Sequence, residues 1–162
     1  MFVQFFISAG VTSLTLMVAG GLATLVMEIS DRTRIWLMRR PHGPKLAIVL
    51  MAALFAILVA NVFSVIAWAT VFLVVDAFQD TETAIYFSLV TVTTLGFGDI
   101  LMPEDWRLLS GFAASNGLLL FGVYTAFIVE ILRRIRNIQS VMHYEHQAHD
   151  TTQRPPAPPS SR

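Results

Sequence analysis

Three long stretches without a charged side chain constrain the fold of this chain more than any other feature. They cover Phe2–Met27, Leu46–Val75 and Leu108–Val129, and they contain 26, 30 and 22 residues respectively. A helix of about 20 apolar residues crosses the hydrocarbon core of a bilayer, and in lipid a helix satisfies its own backbone hydrogen bonds. Buried helices of a soluble protein are the alternative, but they seldom run this far without a charge. The sequence therefore predicts an all-α membrane protein with three transmembrane helices.

Composition excludes several classes of function. Charged residues make up 14% of the chain, whereas a soluble domain carries about a quarter. The formal net charge is zero, which gives no long-range attraction to nucleic acid. The chain has no cysteine, so disulfides and thiolate metal sites are ruled out. No set of residues suggests catalysis, and we expect neither an enzyme, nor a cofactor, nor a structural metal site.

The first stretch lacks the features of a cleaved signal peptide. No Lys or Arg precedes Arg32, and no small-residue cleavage site closes a short apolar core. We expect a retained helix that packs closely through a face of small residues. These residues are Ala19, Gly20, Gly21 and Ala23.

The distribution of basic residues predicts the orientation in the membrane. Ten of the eleven Lys and Arg residues lie between the first two stretches or after the third, and Arg107 alone lies between the second and third. The side richer in basic residues faces the cytoplasm. We therefore expect an integral protein of the cell membrane, plasma or inner, with its N-terminus outside and its C-terminus in the cytoplasm.

A fourth uncharged stretch, Thr83–Gly98, is too short to cross a bilayer as a helix. It has 16 residues, a length that favours a re-entrant segment between the second and third spans. Asp80 and Glu82 are typical of a helix start, and we expect a helix from about Glu82 to Thr93. Its C-terminus would point toward the bilayer centre, so its dipole would place partial negative charge where a cation could sit.

The five residues Thr94–Gly98, here called the TLGFG segment, follow that expected helix. Gly96 and Gly98 permit backbone angles that turn successive carbonyl groups to one side. Such carbonyls can replace the water shell of a dehydrated cation. Thr94 would add a hydroxyl at the inner end, and Asp99 would add a negative charge at the outer end. The alternative is that the two glycines merely break a helix.

The run Thr94–Asp99 resembles the potassium-channel pore signature T-V-G-Y-G-D. The resemblance covers about Ala84–Glu130, and it lies between two predicted spans on the expected side of the membrane. It implies a homotetramer that conducts K⁺ passively through a filter with four equivalent walls, one from each chain. The residues that it places at the ion are Thr94, Leu95, Gly96, Phe97 and Gly98, with Asp99 at the outer mouth.

Supporting residues are also implied by this resemblance. Phe87 and Thr93 would support the filter, and so would Tyr86. Val90 stands where some family members have a glutamate paired to the filter aspartate. Tyr86 is therefore the expected hydrogen-bond donor to Asp99.

Three residues of the third span have candidate roles. Gly117 falls where many family members have a hinge glycine in the inner helix. Asn116 either lines a cavity or hydrogen bonds between helices. Glu130 is either a pore-facing acid at the inner mouth or the partner of Arg133 or Arg134 in an ion pair.

Leu95 and Phe97 depart from the signature, which has Val and Tyr at these positions. If the carbonyls line the ion path, these two side chains point away from it and pack around the preceding helix. Phe97 has no phenol to bond to surrounding aromatic residues, so a weakly selective cation channel is one alternative function. A non-conducting membrane assembly protein or modulatory subunit is the other.

The chain thus divides into four expected regions. They are an additional transmembrane helix at residues 1–30, a basic cytoplasmic loop at 31–45, a pore module at 46–137, and a partly disordered cytoplasmic tail at 138–162. His143, His146 and His149 recur every three residues in the tail. They form either a solvated helix face or a sensor of pH or metal across subunits.

Overall fold

A computed structural model of the chain describes residues 2–32 and 43–153. This part of the chain is helical, with no strand. In chain order it contains α1 (Phe2–Arg32), α2 (Gly43–Val74), α3 (Thr81–Val92), a 3₁₀ helix (Glu104–Trp106) and α4 (Arg107–Gln153). Three segments are long and apolar enough to cross a membrane, namely Phe2–Ser30, Ala47–Val74 and Glu104–Arg134. The predicted all-α fold with three transmembrane helices is confirmed.

The three long helices contact one another, and the short α3 packs against α2 and α4. Large apolar side chains such as Phe2, Phe6 and Met17 are exposed around the bundle. A surface this apolar is typical of contact with lipid rather than water. The fold is therefore a membrane bundle in which α2 and α4 hold α3.

The largest apolar cluster lies where α3 meets the long helices. Trp68, Phe72 and Leu109 are fully buried in it. The ring of Phe87 on α3 lies 5.5 Å from the ring of Phe72 and 5.0 Å from that of Phe78. Such aromatic pairs add about 0.5–1.5 kcal/mol each beyond the area that they bury. They fix α3 against α2.

The C-terminus of α2 has the hydrogen bonds of a Schellman motif. The amide of Ala77 donates to the carbonyl of Phe72 at 2.9 Å, and the amide of Asp76 donates to that of Leu73 at 3.0 Å. Asp76 has a φ of 56°, the left-handed conformation that this motif requires. The chain therefore turns sharply after α2 and reaches the start of α3 within a few residues.

Two predicted regional boundaries differ from the observed helices. α1 continues through Arg32, two residues into the predicted loop, and α4 continues to Gln153, beyond the predicted end of the pore module at residue 137. No glycine or proline occurs between residues 138 and 153, so nothing in that stretch stops the helix. Residues 33–42 and 154–162, which hold most of the basic loop and the proline-rich end of the tail, lie outside the described residues.

The expected face of small residues on α1 is only half right. Ala19 is buried with Ala60, and Ala23 packs against a cluster that includes Ala53. Gly20 and Gly21 have nothing within 4 Å of an added Cβ. Adjacent residues lie about 100° apart around a helix, so four nearly consecutive positions cannot share one face.

Candidate functional site

α3 forms as the sequence predicts. Oδ2 of Asp80 accepts a hydrogen bond from the amide of Thr83 at 2.9 Å, which is an N-cap. The helix has 12 residues, so it is too short to cross a bilayer and lies as a re-entrant element between α2 and α4. At its other end the hydroxyl of Thr93 donates to the carbonyl of Leu89 at 2.6 Å. The N-terminus of α3 is therefore capped by a side chain, and the Thr93 hydroxyl adds a second bond to a carbonyl of its last turn.

The TLGFG segment begins within a second Schellman motif, at the end of α3. The amide of Thr94 donates to the carbonyl of Thr91 at 2.9 Å, and the amide of Leu95 donates to that of Val90 at 2.9 Å. The amide of Gly96 also lies 3.3 Å from the Val90 carbonyl. Three successive amides of the segment are thus directed toward α3.

The direction of these amides decides where the carbonyls point. In a trans peptide unit the N–H and the preceding C=O are opposed. Since the amides of Thr94, Leu95 and Gly96 point toward α3, the carbonyls of Thr93, Thr94 and Leu95 point away from it. Thr93 and the first two residues of the segment therefore present a row of three carbonyl oxygens on the side opposite α3.

Backbone conformation alternates along the TLGFG segment. Thr94, Gly96 and Gly98 have φ values of 58°, 58° and 77°, whereas Leu95 and Phe97 are not in this region. An added Cβ would have nothing within 4 Å at either glycine. The glycines are therefore required for their backbone angle and not for space, as predicted. The left-handed conformation of Thr94 was not predicted, because a β-branched residue is rarely found there.

The expected packing of Leu95 and Phe97 around α3 is not observed within one chain. Their side chains are 57% and 66% exposed. An open cleft of about 600 Å³ lies beside the segment, and its lining includes Thr94, Ser110 and Ala114. The described residues of a single chain therefore leave the apolar side chains of the segment uncovered.

Tyr86 donates the hydrogen bond to Asp99 that the sequence suggested. Its hydroxyl lies 2.6 Å from Oδ2 of Asp99. This bond is the main cause that lowers the pKa of the Asp99 carboxyl below its usual value, and it raises the pKa of the Tyr86 phenol. The bond joins the first half of α3 to the residue just after the TLGFG segment, so it closes the loop that the segment forms.

Gly117 of α4 is in contact with the end of α3. A Cβ added to Gly117 would lie 1.8 Å from the carbonyl oxygen of Val92 and 2.8 Å from its carbonyl carbon. No side chain fits there, because a real Cβ essentially never comes within 3.0 Å of another heavy atom. The helix backbones therefore meet directly, two residues before the TLGFG segment.

Comparison with known families identifies this arrangement. A family model described as ion channel matches residues 54–134, which is half of the chain. The chain belongs to this ion channel family. The match contains most of α2, all of α3, the TLGFG segment and the apolar part of α4, and it leaves out α1. Comparisons with curated proteins and with solved structures gave no match.

Membership and fold together make the channel an integral membrane protein. Its spans are three apolar helices, and its family conducts ions. The part of the chain that the family model covers is also the part that positions the carbonyl row.

Asn116 of the channel bonds between helices rather than lining a cavity. It is fully buried. Its Oδ1 accepts from the hydroxyl of Thr15 on α1 at 3.0 Å, and its Nδ2 lies 3.5 Å from the hydroxyl of Ser64 on α2. Of the two candidate roles for this residue, the hydrogen bond between helices is the one observed.

Two anchors of α1 were not identified from the sequence. One is Thr15, and the other is Gln4, whose Nε2 donates to the backbone carbonyl of Asp105. A signal was present, because Gln4, Ser8 and Thr15 follow one another at helical spacings of four and seven residues. Polar side chains on one face of a transmembrane helix usually point into the protein.

Glu130 forms the ion pair that was one of its two candidate roles. Its Oε1 lies 2.9 Å from Nε of Arg134, one helical turn away, and both side chains are about one-third exposed. Such i,i+4 pairs contribute about 0.3–0.5 kcal/mol. The side chains of His143, His146 and His149 lie outside the described side chains.

Proposed function

We propose that this ion channel is a potassium channel, in which the TLGFG segments of four copies form one filter. The observation that carries the proposal is the row of carbonyls on Thr93, Thr94 and Leu95, all directed away from α3. Carbonyl oxygens held in this way replace the hydration shell of K⁺ in channel filters. The C-terminus of α3, which carries the negative end of the helix dipole, adds to the attraction for a cation. K⁺ is the permeating ion, and no cofactor is needed.

A single copy supplies only one wall of such a filter. The exposed side chains of Leu95 and Phe97 and the open cleft beside them both favour coverage by neighbouring copies. Four copies are expected, because filters of this kind have four equivalent walls. The assembly is then a homotetramer with the carbonyl rows facing a common axis. Asp99 lies at its outer mouth, Glu130 lies near its inner mouth, and Tyr86, Phe87 and Thr93 support the filter from behind.

The proposed topology follows from the basic residues. The side that carries ten of the eleven Lys and Arg residues faces the cytoplasm. The TLGFG segment then enters from the outside of the cell membrane. Residues 46–137 form the pore module, and residues 1–30 form a helix added to it.

A weakly selective cation channel is the second candidate. Phe97 has no hydroxyl with which to hold the filter wall in place, and its ring is 66% exposed within the described part of the chain. A filter wall that moves easily discriminates less strongly between K⁺ and Na⁺. Reversal potentials in mixed K⁺ and Na⁺ distinguish the two candidates, since only a selective channel follows the K⁺ gradient.

The experiment that tests conduction uses purified protein in liposomes that carry a K⁺ gradient. Gly96→Ala is expected to lower K⁺ flux about tenfold or more, because each copy then holds a Cβ in a left-handed conformation at a cost of about 1–2 kcal/mol. Gly122→Ala is the matched control, since Gly122 is helical and has nothing within 4 Å of an added Cβ. Both variants should assemble like the wild type on a native gel. A Gly96→Ala channel with wild-type flux and selectivity would remove the TLGFG segment from the ion path, and an inactive wild type would favour a non-conducting subunit.

A further inference from the structure

α1 lies outside the family match, yet three of its polar side chains are buried against the rest of the bundle. Gln4, Ser8 and Thr15 are 8%, 2% and 1% exposed. Large apolar side chains such as Phe6 and Met17 remain exposed on the same helix. A polar side chain at membrane depth is costly unless it is paired. Such residues therefore face the protein interior and commonly have a function.

Thr15 lies within hydrogen-bond distance of Asn116 on α4. The Thr15 hydroxyl lies 3.0 Å from Oδ1 of Asn116 and 3.0 Å from the carbonyl of Thr12 in its own helix. The amide nitrogen of Asn116 lies near the hydroxyl of Ser64 on α2. The side chain of Asn116 therefore lies within hydrogen-bond distance of both α1 and α2.

The next residue of α4 carries this constraint to the filter. Gly117 meets the carbonyl of Val92 with no room for a Cβ. A small rotation of α4 would therefore either push the end of α3 or break its contact with Gly117. Val92 is followed by Thr93 and by Thr94, the left-handed residue of the Schellman motif. A continuous set of contacts thus leads from α1 to the first residues of the TLGFG segment.

We propose that Thr15 is a positioning residue for ion conduction. Through its hydrogen bond to Asn116 it holds α4 at the rotation where Gly117 supports the Val92 carbonyl, and it thereby keeps the carbonyl row of the filter aligned. α1 is then a built-in support of the filter and not only a membrane anchor. This inference rests on the proposed function, because it concerns how well the filter conducts and selects.

The physical cost of losing the bond explains why α4 would move. Without the Thr15 hydroxyl, Oδ1 of Asn116 is a buried acceptor with no donor, which is unfavourable in a site closed to water. Rotation of α4 is the simplest way for Asn116 to find another donor. Gly117 moves with it, because the two residues are adjacent on one helix.

The test compares three single variants in the full-length channel. Thr15→Val keeps the shape of the side chain but removes its hydroxyl, whereas Thr15→Ser retains a hydroxyl. Thr24→Val is the matched control, since the Thr24 hydroxyl also bonds to a carbonyl three residues earlier in α1 but is exposed. Liposome flux and the K⁺ to Na⁺ permeability ratio are measured for each, and native gels report assembly.

Thr15→Val is expected to lower the permeability ratio about tenfold, which corresponds to a shift of about 1.4 kcal/mol in an equilibrium, while it still assembles. Thr15→Ser and Thr24→Val should both retain the wild-type ratio. A conducting wild type with an unchanged ratio in Thr15→Val overturns this inference alone. A wild type without K⁺ flux overturns the proposed function and this inference together.

A double-mutant cycle separates a specific bond from a general loss of packing. Thr15→Val and Asn116→Leu should be non-additive in the permeability ratio, because each removes the same hydrogen bond. Thr24→Val and Asn116→Leu should be additive. Additivity in both pairs would show that Thr15 does not act through Asn116 and would overturn the inference, even if Thr15→Val alone has an effect.

Discussion

At the residue scale, two non-glycine residues hold the left-handed conformation on which the loops depend. Asp76 ends α2 at a φ of 56°, and Thr94 ends α3 at 58°. Both occupy the same position of a Schellman motif, where glycine is the usual residue. Asp tolerates this conformation through its short polar side chain, whereas a β-branched Thr is strained there. Strain of this kind is commonly retained where it serves a site, and only Thr94 has a carbonyl in the row.

Replacing both residues with glycine should separate these two cases. Thr94→Gly is expected to raise stability by about 1 kcal/mol, because the left-handed cost of a β-branched residue is relieved, whereas Asp76→Gly should raise it less, because Asp tolerates this conformation. Thermal unfolding in detergent measures this. Only Thr94→Gly should also change the K⁺ to Na⁺ permeability ratio, since it removes a hydroxyl next to the carbonyl row. An equal change of ratio in Asp76→Gly would contradict the distinction.

The bond between Tyr86 and Asp99 predicts how the channel responds to acid. It holds the pKa of Asp99 below its usual value of 3.8, so the ionised carboxylate and its stabilising contribution persist above that value and are lost only as the pH falls through the lower pKa. Tyr86→Phe removes the donor and should return the pKa toward 3.8. The midpoint of acid inhibition, measured as K⁺ flux against external pH, should therefore be higher in Tyr86→Phe than in the wild type. Equal midpoints would show that this bond does not control the charge at Asp99.

At the scale of secondary-structure elements, the contact between α3 and α4 decides how the filter is supported. α3 is fixed on one side by the Phe72, Phe78 and Phe87 rings and on the other by the backbone of Gly117. Gly117 was expected to be a hinge on the basis of resemblance. The geometry gives it a second role, which is to let two helices meet where a side chain would separate them.

Gly117→Ala distinguishes these roles. A hinge would change opening and leave ion preference unaltered. The added Cβ would lie 1.8 Å from the Val92 oxygen, so we expect it to push the end of α3 and to lower both K⁺ flux and the K⁺ to Na⁺ permeability ratio. Gly122→Ala on the same helix is the control, because its Cβ would meet nothing within 4 Å. Reconstituted flux with normal selectivity and altered opening would favour the hinge alone.

At the scale of the whole molecule, the proposed topology places the two ends of the chain on opposite sides of the membrane. That proposal combines the three apolar spans with the asymmetry of the basic residues. α1 is the span that makes the number odd, and it lies outside the family match. It is attached through Thr15 and Gln4, and thus contacts both the middle of α4 and the loop before it.

Membrane-impermeant labelling of single introduced cysteines checks this topology. The natural chain has no cysteine, so each label reports one position. In intact cells a cysteine next to the N-terminus should be labelled, and one at Arg162 should be labelled only after the membrane is opened. Labelling of both from outside would contradict the arrangement of three spans.

The amino-acid sequence by itself determined those features that depend on local chemistry. Long uncharged stretches gave the three spans, Asp80 gave the start of α3, and Gly96 and Gly98 gave the left-handed positions of the TLGFG segment. Each of these features depends on residues that are close together in the chain. The spans depend on the length of an apolar stretch, the helix start on capping, and the left-handed positions on the backbone freedom of glycine. The hydrogen bond from Tyr86 to Asp99 could also be predicted from the sequence, because the two residues are only 13 positions apart.

Only the tertiary structure decided which distant residues meet. Thr15 and Asn116 are 101 positions apart, and nothing local to either one indicates the other. The contact of Gly117 with Val92 depends on how closely two helices approach, and the exposure of Leu95 and Phe97 depends on what one chain can cover. These distances depend on how all the helices of the bundle pack together. Sequence patterns indicate only which face of each helix is apolar or polar.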